Sequence, residues 1–91
     1  MRRLRWTAEA VQDREAIWDY ISGDDVDAAI SIDEMISVKA ARLSEHPEMG
    51  RIGRVAGTRE LVISGTYILI YDLERDVIRV LRVLHAARRW P

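Results

Sequence analysis

The stretch RELVISGTYILIYDLERDVIRVLRVLH, residues 59–85, decides the fold. Apolar runs rich in Ile, Val, Leu and Tyr are separated by two short breaks, SGT at 64–66 and ERD at 74–76. Such side chains suit a pleated, half-buried surface, and breaks this short join only antiparallel neighbours. The spacing predicts a three-strand meander. YILIYDL, residues 67–73, is apolar on both faces and takes the central place. Arg79 and Arg82 fall at opposite parity, so one of them faces whatever covers the sheet, escapes at an edge or follows a bulge.

Upstream the period changes. RRLRW, residues 2–6, alternates as a short strand with Leu4 and Trp6 on one side and Arg3 and Arg5 on the other. Thr7 then reads as an N-cap, with Glu9 in the first turn of a helix. Val11, Ile17, Trp18 and Ile21 form its apolar stripe, broken by Arg14, and Gly23 ends it. Asp24 and Asp25 can cap a second helix, whose stripe is Val26, Ala29, Ile30, Ile36, Ala40 and Leu43, with Asp33 at its margin. Pro47 stops any continuation, and His46 before it is pushed out of helical geometry. The turn between the helices is short, so they pack as an antiparallel hairpin. GRIGRVAGT, residues 50–58, is a glycine-rich loop with room for one short strand.

The expected fold class is therefore α+β, in the order β-α-α-β-β-β: an antiparallel-type small sheet covered on one face by a helical hairpin. Residues 1–91 make a single domain. A chain of this size hides about 60–65% of its unfolded surface and is modestly stable alone. The other face of the sheet has no element left to cover it, which makes it the expected docking face for a partner.

Composition narrows the chemistry. The absence of cysteine excludes disulfides and thiolate metal sites, and suits a reducing cytoplasm. His46 and His85 show no ligand spacing, so no metal is expected. GRIGRVAG lacks the glycine spacing and the Lys-Ser/Thr pair of nucleotide-binding loops, and no cofactor is expected. No serine sits in a nucleophile elbow. No apolar run approaches the ~20 residues of a membrane helix, and none resembles a signal peptide. The reading is a cytoplasmic protein without membrane association.

The formal net charge of −1 conceals a polarised chain. Residues 1–5 hold three arginines and no acid, residues 6–50 three basic against eleven acidic residues, and residues 51–91 eight arginines against four acids. Arginine's planar fork takes phosphate or carboxylate in two-point fashion. The basic C-terminal part points to an anionic partner, or to solvated strand faces balanced by the acidic half. Arg51 and Arg54 stand in solvent or face a ligand. His85 is a general acid or base, or a histidine bonded within the fold. Arg59 opens one strand and Arg88 follows another; they converge into a phosphate clamp or stay separate. Tyr67 and Tyr71 share one face, as core or as stacking platforms. Trp90 is expected to fold back onto the sheet.

AIWDYI, HPEMGRIGRVAGTRELVI, YILIYDL and IRVLRVLHAARRWP together resemble the RelE/ParE superfamily of bacterial type II toxins, over nearly the whole chain. GR…GTREL followed by VLHAARRWP is the most specific part. The resemblance implies the same element order, with the first strand beside the last. It implies a cognate antitoxin whose flexible C-terminal segment wraps the toxin, repression of the shared operon through operator DNA bound by the antitoxin, and a part in plasmid stabilisation. RelE-like members cut mRNA on the ribosome with a basic cluster and a C-terminal Tyr or His; ParE-like members poison DNA gyrase. Here Ile68 stands where RelE-like members carry a catalytic Arg, and no tyrosine follows Trp90 and Pro91. An apolar side chain cannot offset charge developing on phosphate.

The expected function is thus ParE-like gyrase poisoning, with Arg51, Arg54, Arg59, His85, Arg88, Arg89 and Trp90 as target-binding residues. The alternatives are a ribosome-dependent mRNA endonuclease using His85, Arg59 and Arg88, with Glu60 the nearest carboxylate, and a detoxified module that matters only through its antitoxin and operator.

Overall fold

A computed structural model describes residues 2–91. The elements are β1 (Arg3–Trp6), α1 (Ala8–Ser22), α2 (Val26–Arg42), β2 (Arg51–Ile52), β3 (Thr58–Val62), β4 (Tyr67–Glu74) and β5 (Val77–His85). They form a five-stranded sheet in the order β1-β5-β4-β3-β2, with β4 in the middle as its two apolar faces require. β2 to β5 pair antiparallel, and β1 joins β5 in parallel. The parallel pair is possible because the helical hairpin lies within the connection between β1 and the meander.

Local chemistry starts each helix. Thr7 Oγ1 accepts from the Ala10 N–H at 3.1 Å and donates to the Leu81 carbonyl at 2.9 Å, so the cap of α1 is also tied to β5. Asp25 accepts from the Ala28 N–H at 3.0 Å at the start of α2. The core lies between the helices and the sheet: Ala10 from α1 and Ile36, Ala40 and Leu43 at the α2 end pack on Leu69, Tyr71, Ile78 and Val80.

Two charged breaks in the helical stripes resolve each other. Arg14 pairs with Asp33 at 2.8 Å, joining α1 to α2, and its guanidinium lies 4.8 Å from the Trp6 ring centroid. The stripe of α1 is rotated from the expected one. Ala10, Ile17 and Ile21 meet the core, whereas Val11 is 43% exposed and lines a groove with Trp18.

Arg79 and Arg82 are separated by a β-bulge. Tyr71 pairs with Val80 and Ile70 with Arg82, leaving Leu81 as the extra residue. Beyond it Arg82 donates to both oxygens of Asp13 on α1, at 2.7 and 3.0 Å, and the Val83 N–H donates to the same carboxylate at 2.9 Å. Arg79 stays on the open face, bound to Asp72 at 2.6 Å and within 3.4 Å of Glu74. The hydrogen bond to Asp72 holds its guanidinium above the usual arginine pKa, and Asp13 does the same for Arg82.

Tyr71 anchors the loop before β2. Its hydroxyl donates to the Pro47 carbonyl at 2.6 Å and accepts from the Gly50 N–H at 2.9 Å. Only glycine fits at position 50, because a Cβ there would come within 2.8 Å of the tyrosine ring. Burial pushes the Tyr71 hydroxyl pKa up, against the opposing Gly50 hydrogen bond.

The expectation that nothing in the chain covers the open face is corrected. Trp90 and Leu81 pack against a cluster of Ile68, Ile70 and Leu84 on that face. The chain past β5 turns through the Arg88 N–H to His85 carbonyl bond at 2.9 Å, which lets the tail double back. Trp90 folds back as anticipated and is itself the cover.

Candidate functional site

The end of the sheet where β4 begins and β5 ends holds a cleft of about 480 Å³. Asp13, Ile17 and Tyr20 contribute from α1, Thr66 and Tyr67 from the start of β4, and His85 and Arg88 from the end of β5 and the tail. The β4–β5 register sets this up by pairing Tyr67 with His85. The two rings meet edge to face, with centroids 5.9 Å apart. Tyr67 is buried, which gives the exposed imidazole a rigid wall.

His85 Nδ1 accepts from the Ala87 N–H at 3.1 Å. That bond leaves Nε2 as the outward atom, a donor in the neutral ring. Arg88 is fully outside the sheet, exposed, and lines the same cleft. Arg89 follows it, also exposed. The carboxylate of the cleft, Asp13, is occupied by Arg82 and the Val83 amide, so it braces β5 on α1 rather than standing ready as a base. Tyr67 is core, in line with one of the two readings, and so is Tyr71.

The remaining candidates lie elsewhere. Arg51 on the edge strand β2 pairs with Glu60 on the neighbouring β3 at 3.0 Å, which removes Glu60 from any site near His85. Arg54 is exposed in the turn between β2 and β3. Arg59 donates to the Gly50 and Glu48 carbonyls, at 2.7 and 3.3 Å, and lines a separate pocket of about 280 Å³ with Arg2 and Tyr71. The expected convergence of Arg59 with Arg88 does not occur. Arg59 pairs with Tyr71 and His85 with Tyr67, which puts the two about 13 Å apart along β4. Ile68 lies buried in the open-face cluster, so no cation stands at that position.

Sequence reasoning missed Tyr20, Thr66 and Asp13. Tyr20, 80% exposed in the last turn of α1, carries no distinguishing pattern in the chain. Asp13 is one of eleven acids in its region and is singled out only by the contact with β5. Among the described residues no cluster of His, Cys, Asp or Glu could hold a metal, and no helix is long and apolar enough to cross a membrane.

The resemblance of the sequence extends to known proteins. A family model described as "ParE toxin of type II toxin-antitoxin system, parDE" matches residues 4–90. The Y4kP protein of Sinorhizobium fredii, described as a candidate toxin, is 42% identical over 91 residues, covering 99% of this chain and 94% of its own. Toxin RelE2 of Caulobacter vibrioides is 35% identical over 88 residues, covering 97% and 99%. Among solved structures, a chain of the chromosomal ParDE TA system from P. aeruginosa superposes with a TM-score of 0.80 at 25% identity, over 93% of this chain and 96% of that one. The chain belongs to the ParE toxin family of type II toxin–antitoxin systems.

Proposed function

We propose that this toxin acts in the cytoplasm by docking on DNA gyrase through the cleft at the end of β5, and that a cognate antitoxin encoded beside it neutralises it. The observation that carries this reading is the state of the cleft's carboxylate. Asp13 is held by Arg82 and Val83, and Ile68, where the resemblance to RelE-like members implies a catalytic arginine, is apolar and buried in the open-face cluster. His85, Arg88 and Arg89 can bind an anionic or polar surface, but they stand without a free general base beside them. The similar P. aeruginosa chain comes from a ParDE TA system, which supports a partner antitoxin here. The complex of the two would repress their operon through operator DNA bound by the antitoxin.

A second reading has one observation in its favour. His85 beside Arg88 pairs an imidazole, which serves as an acid in its protonated form, with a phosphate-binding group, as a ribosome-dependent mRNA endonuclease would need. A gyrase supercoiling assay, run beside cleavage of mRNA on programmed ribosomes, separates the two. Gyrase inhibition with intact mRNA supports docking; cleavage with unaffected gyrase supports the endonuclease. If neither responds and induced expression leaves growth normal, the chain is a detoxified module.

A further inference from the structure

Arg59 shares its pocket of about 280 Å³ with a second guanidinium, that of Arg2, and Tyr71 and Leu73 of β4 form the lining between them. The two arginines come from separate parts of the fold. Arg2 precedes β1, and its N–H donates to the Ser44 carbonyl just past α2 at 3.0 Å. Arg59 stands on β3, and β5 and β4 lie between β1 and β3 in the sheet. The pocket is not the His85 cleft. Arg59 pairs with Tyr71 and His85 with Tyr67, about 13 Å apart along β4.

Both guanidiniums have donors to spare. The Nε of Arg2 is buried and has no hydrogen-bond partner among the described residues, the one side-chain nitrogen or oxygen among them of which this is true. Buried donors left unpaired are rare in folded proteins, and such a group calls for an oxygen. Arg59 donates through Nη1, to the Gly50 and Glu48 carbonyls at 2.7 and 3.3 Å. A guanidinium carries five N–H groups, so the rest of that fork is open to a ligand. Among the described residues the ion-paired arginines are Arg14, Arg51, Arg79 and Arg82, and neither Arg2 nor Arg59 is one of them. Two acids also line the pocket. Asp72 has both oxygens bound by Arg79, at 2.9 and 2.6 Å, and Glu48 is exposed at the rim. Two cations against one uncompensated carboxylate leave the pocket positive.

We propose that this pocket binds a phosphate group, held from its two sides by Arg2 and Arg59. A carboxylate has two oxygens in one plane and is satisfied by a single guanidinium fork. Two forks arriving from different strands suit a tetrahedral anion, which offers oxygens to both. The Tyr71 hydroxyl takes no part, because it already donates to Pro47 and accepts from Gly50. The pocket is smaller than the roughly 300 Å³ at which sites for drug-sized ligands begin. It therefore encloses the phosphate and leaves outside any nucleoside attached to it. Once bound, the anion ties the start of β1 to β3 and, through Arg59, to the loop before β2, which stabilises the fold whatever the target of the toxin.

The test titrates the full chain with inorganic phosphate and with adenosine monophosphate, against adenosine and sodium chloride at matched ionic strength. Phosphate raises Tm saturably, by about 5 °C or more at tenfold excess over its dissociation constant. It shifts the NMR signal of the Arg2 Nε–H, assigned by its loss in Arg2→Ala, with the same midpoint. Adenosine and chloride do neither. Equal midpoints for phosphate and the nucleotide show that the phosphate group alone is read; a midpoint tenfold or more lower for the nucleotide makes a nucleotide the source. Arg2→Ala weakens binding about tenfold or more. It carries the test in place of an Arg59 variant, since Arg59 also holds the loop before β2. Glu48→Gln, which removes the free carboxylate, tightens binding several-fold, and the double variant Arg88→Ala, Arg89→Ala binds as the parent does. A Tm that follows ionic strength alone overturns the proposal. So does phosphate binding that survives Arg2→Ala, or that is lost with Arg88 and Arg89.

Discussion

The two faces of the sheet are made by the same strands and closed in different ways. On the helix side, Leu69, Tyr71, Ile78 and Val80 lie under two capped helices that cross-link through Arg14 and Asp33. On the open side, Ile68, Ile70 and Leu84 are closed by Leu81 and by Trp90, which stands next to last in the chain. The first closure involves two long elements and cannot be undone without unfolding. The second depends on a tail whose separation exposes a small apolar cluster and little else. His85, Arg88 and Arg89 sit on the segment between the sheet and that tryptophan. The difference teaches that stability resides under the helices, while the groups proposed to meet a target lie on the part of the chain that is cheapest to move.

The sharpest way to break this contrast is to remove a buried side chain from the helix side. Leu69→Ala empties a site of 0% exposure in the central strand. It should cost about 3 kcal/mol and lower Tm by roughly 15 °C, read by circular dichroism in a thermal or urea melt. A loss no greater than that of an open-face variant removes the distinction between the faces.

Asp13→Ala comes next. It leaves Arg82 without its partner in a part-buried setting and the Val83 N–H unsatisfied, at a cost of about 2 kcal/mol. Because the pair fixes β5 on α1 at the floor of the cleft, toxicity should fall with stability. A variant that melts early yet kills as before separates the brace from the site.

Tyr71→Phe should cost about 1–2 kcal/mol, since the Gly50 N–H and Pro47 carbonyl both lose the hydroxyl. It also has a pH signature. The folded-state pKa of Tyr71 is raised above 10.0, its value in the unfolded chain. The tyrosine's contribution is therefore complete below pH about 10 and is lost as pH rises from there through the folded-state value. Phe at this position should flatten the alkaline limb of a stability–pH curve measured by urea melts; an unchanged limb assigns the alkaline loss to other groups.

Much of this architecture is legible because its signals are local. Thr7 and Asp25 cap their helices through bonds to residues three positions on, and the meander follows from apolar runs separated by breaks too short for a crossover. The parallel place of β1 beside β5 comes only through resemblance to a family, since a pairing between residues 3–6 and 77–80 depends on how the intervening helices pack. The Arg59–Arg88 clamp fails for a reason already present in the meander. β3 and β5 both run antiparallel to β4, so they run alongside each other in direction, and the start of one lies at the opposite end of the sheet from the end of the other. Proximity to a strand end carries no meaning until it is known which end. The cover supplied by Trp90 is half visible in the chain: folding back is expected of a tryptophan there, while its consequence for the open face needs the cluster of Ile68, Ile70 and Leu84.

The tail after β5 supplies the two smallest stability effects. Trp90→Ala should cost only about 1 kcal/mol, because the residue is part-exposed and tail-borne, and it should raise binding of a hydrophobic dye by uncovering Ile68 and Leu84. A cost comparable to that of Leu69→Ala makes the tail an integral part of the core. The double change Arg88→Ala, Arg89→Ala should move stability by about 0.5 kcal/mol or less, as expected of exposed side chains away from packed or paired groups. Yet it removes two cations from the border where His85 meets the solvent beside the buried Tyr67 ring. Growth inhibition on induced expression should disappear while the melting curve stays in place. Killing that persists in the double variant, with the fold intact, moves the functional surface away from this cleft and onto the arginines left elsewhere on the sheet.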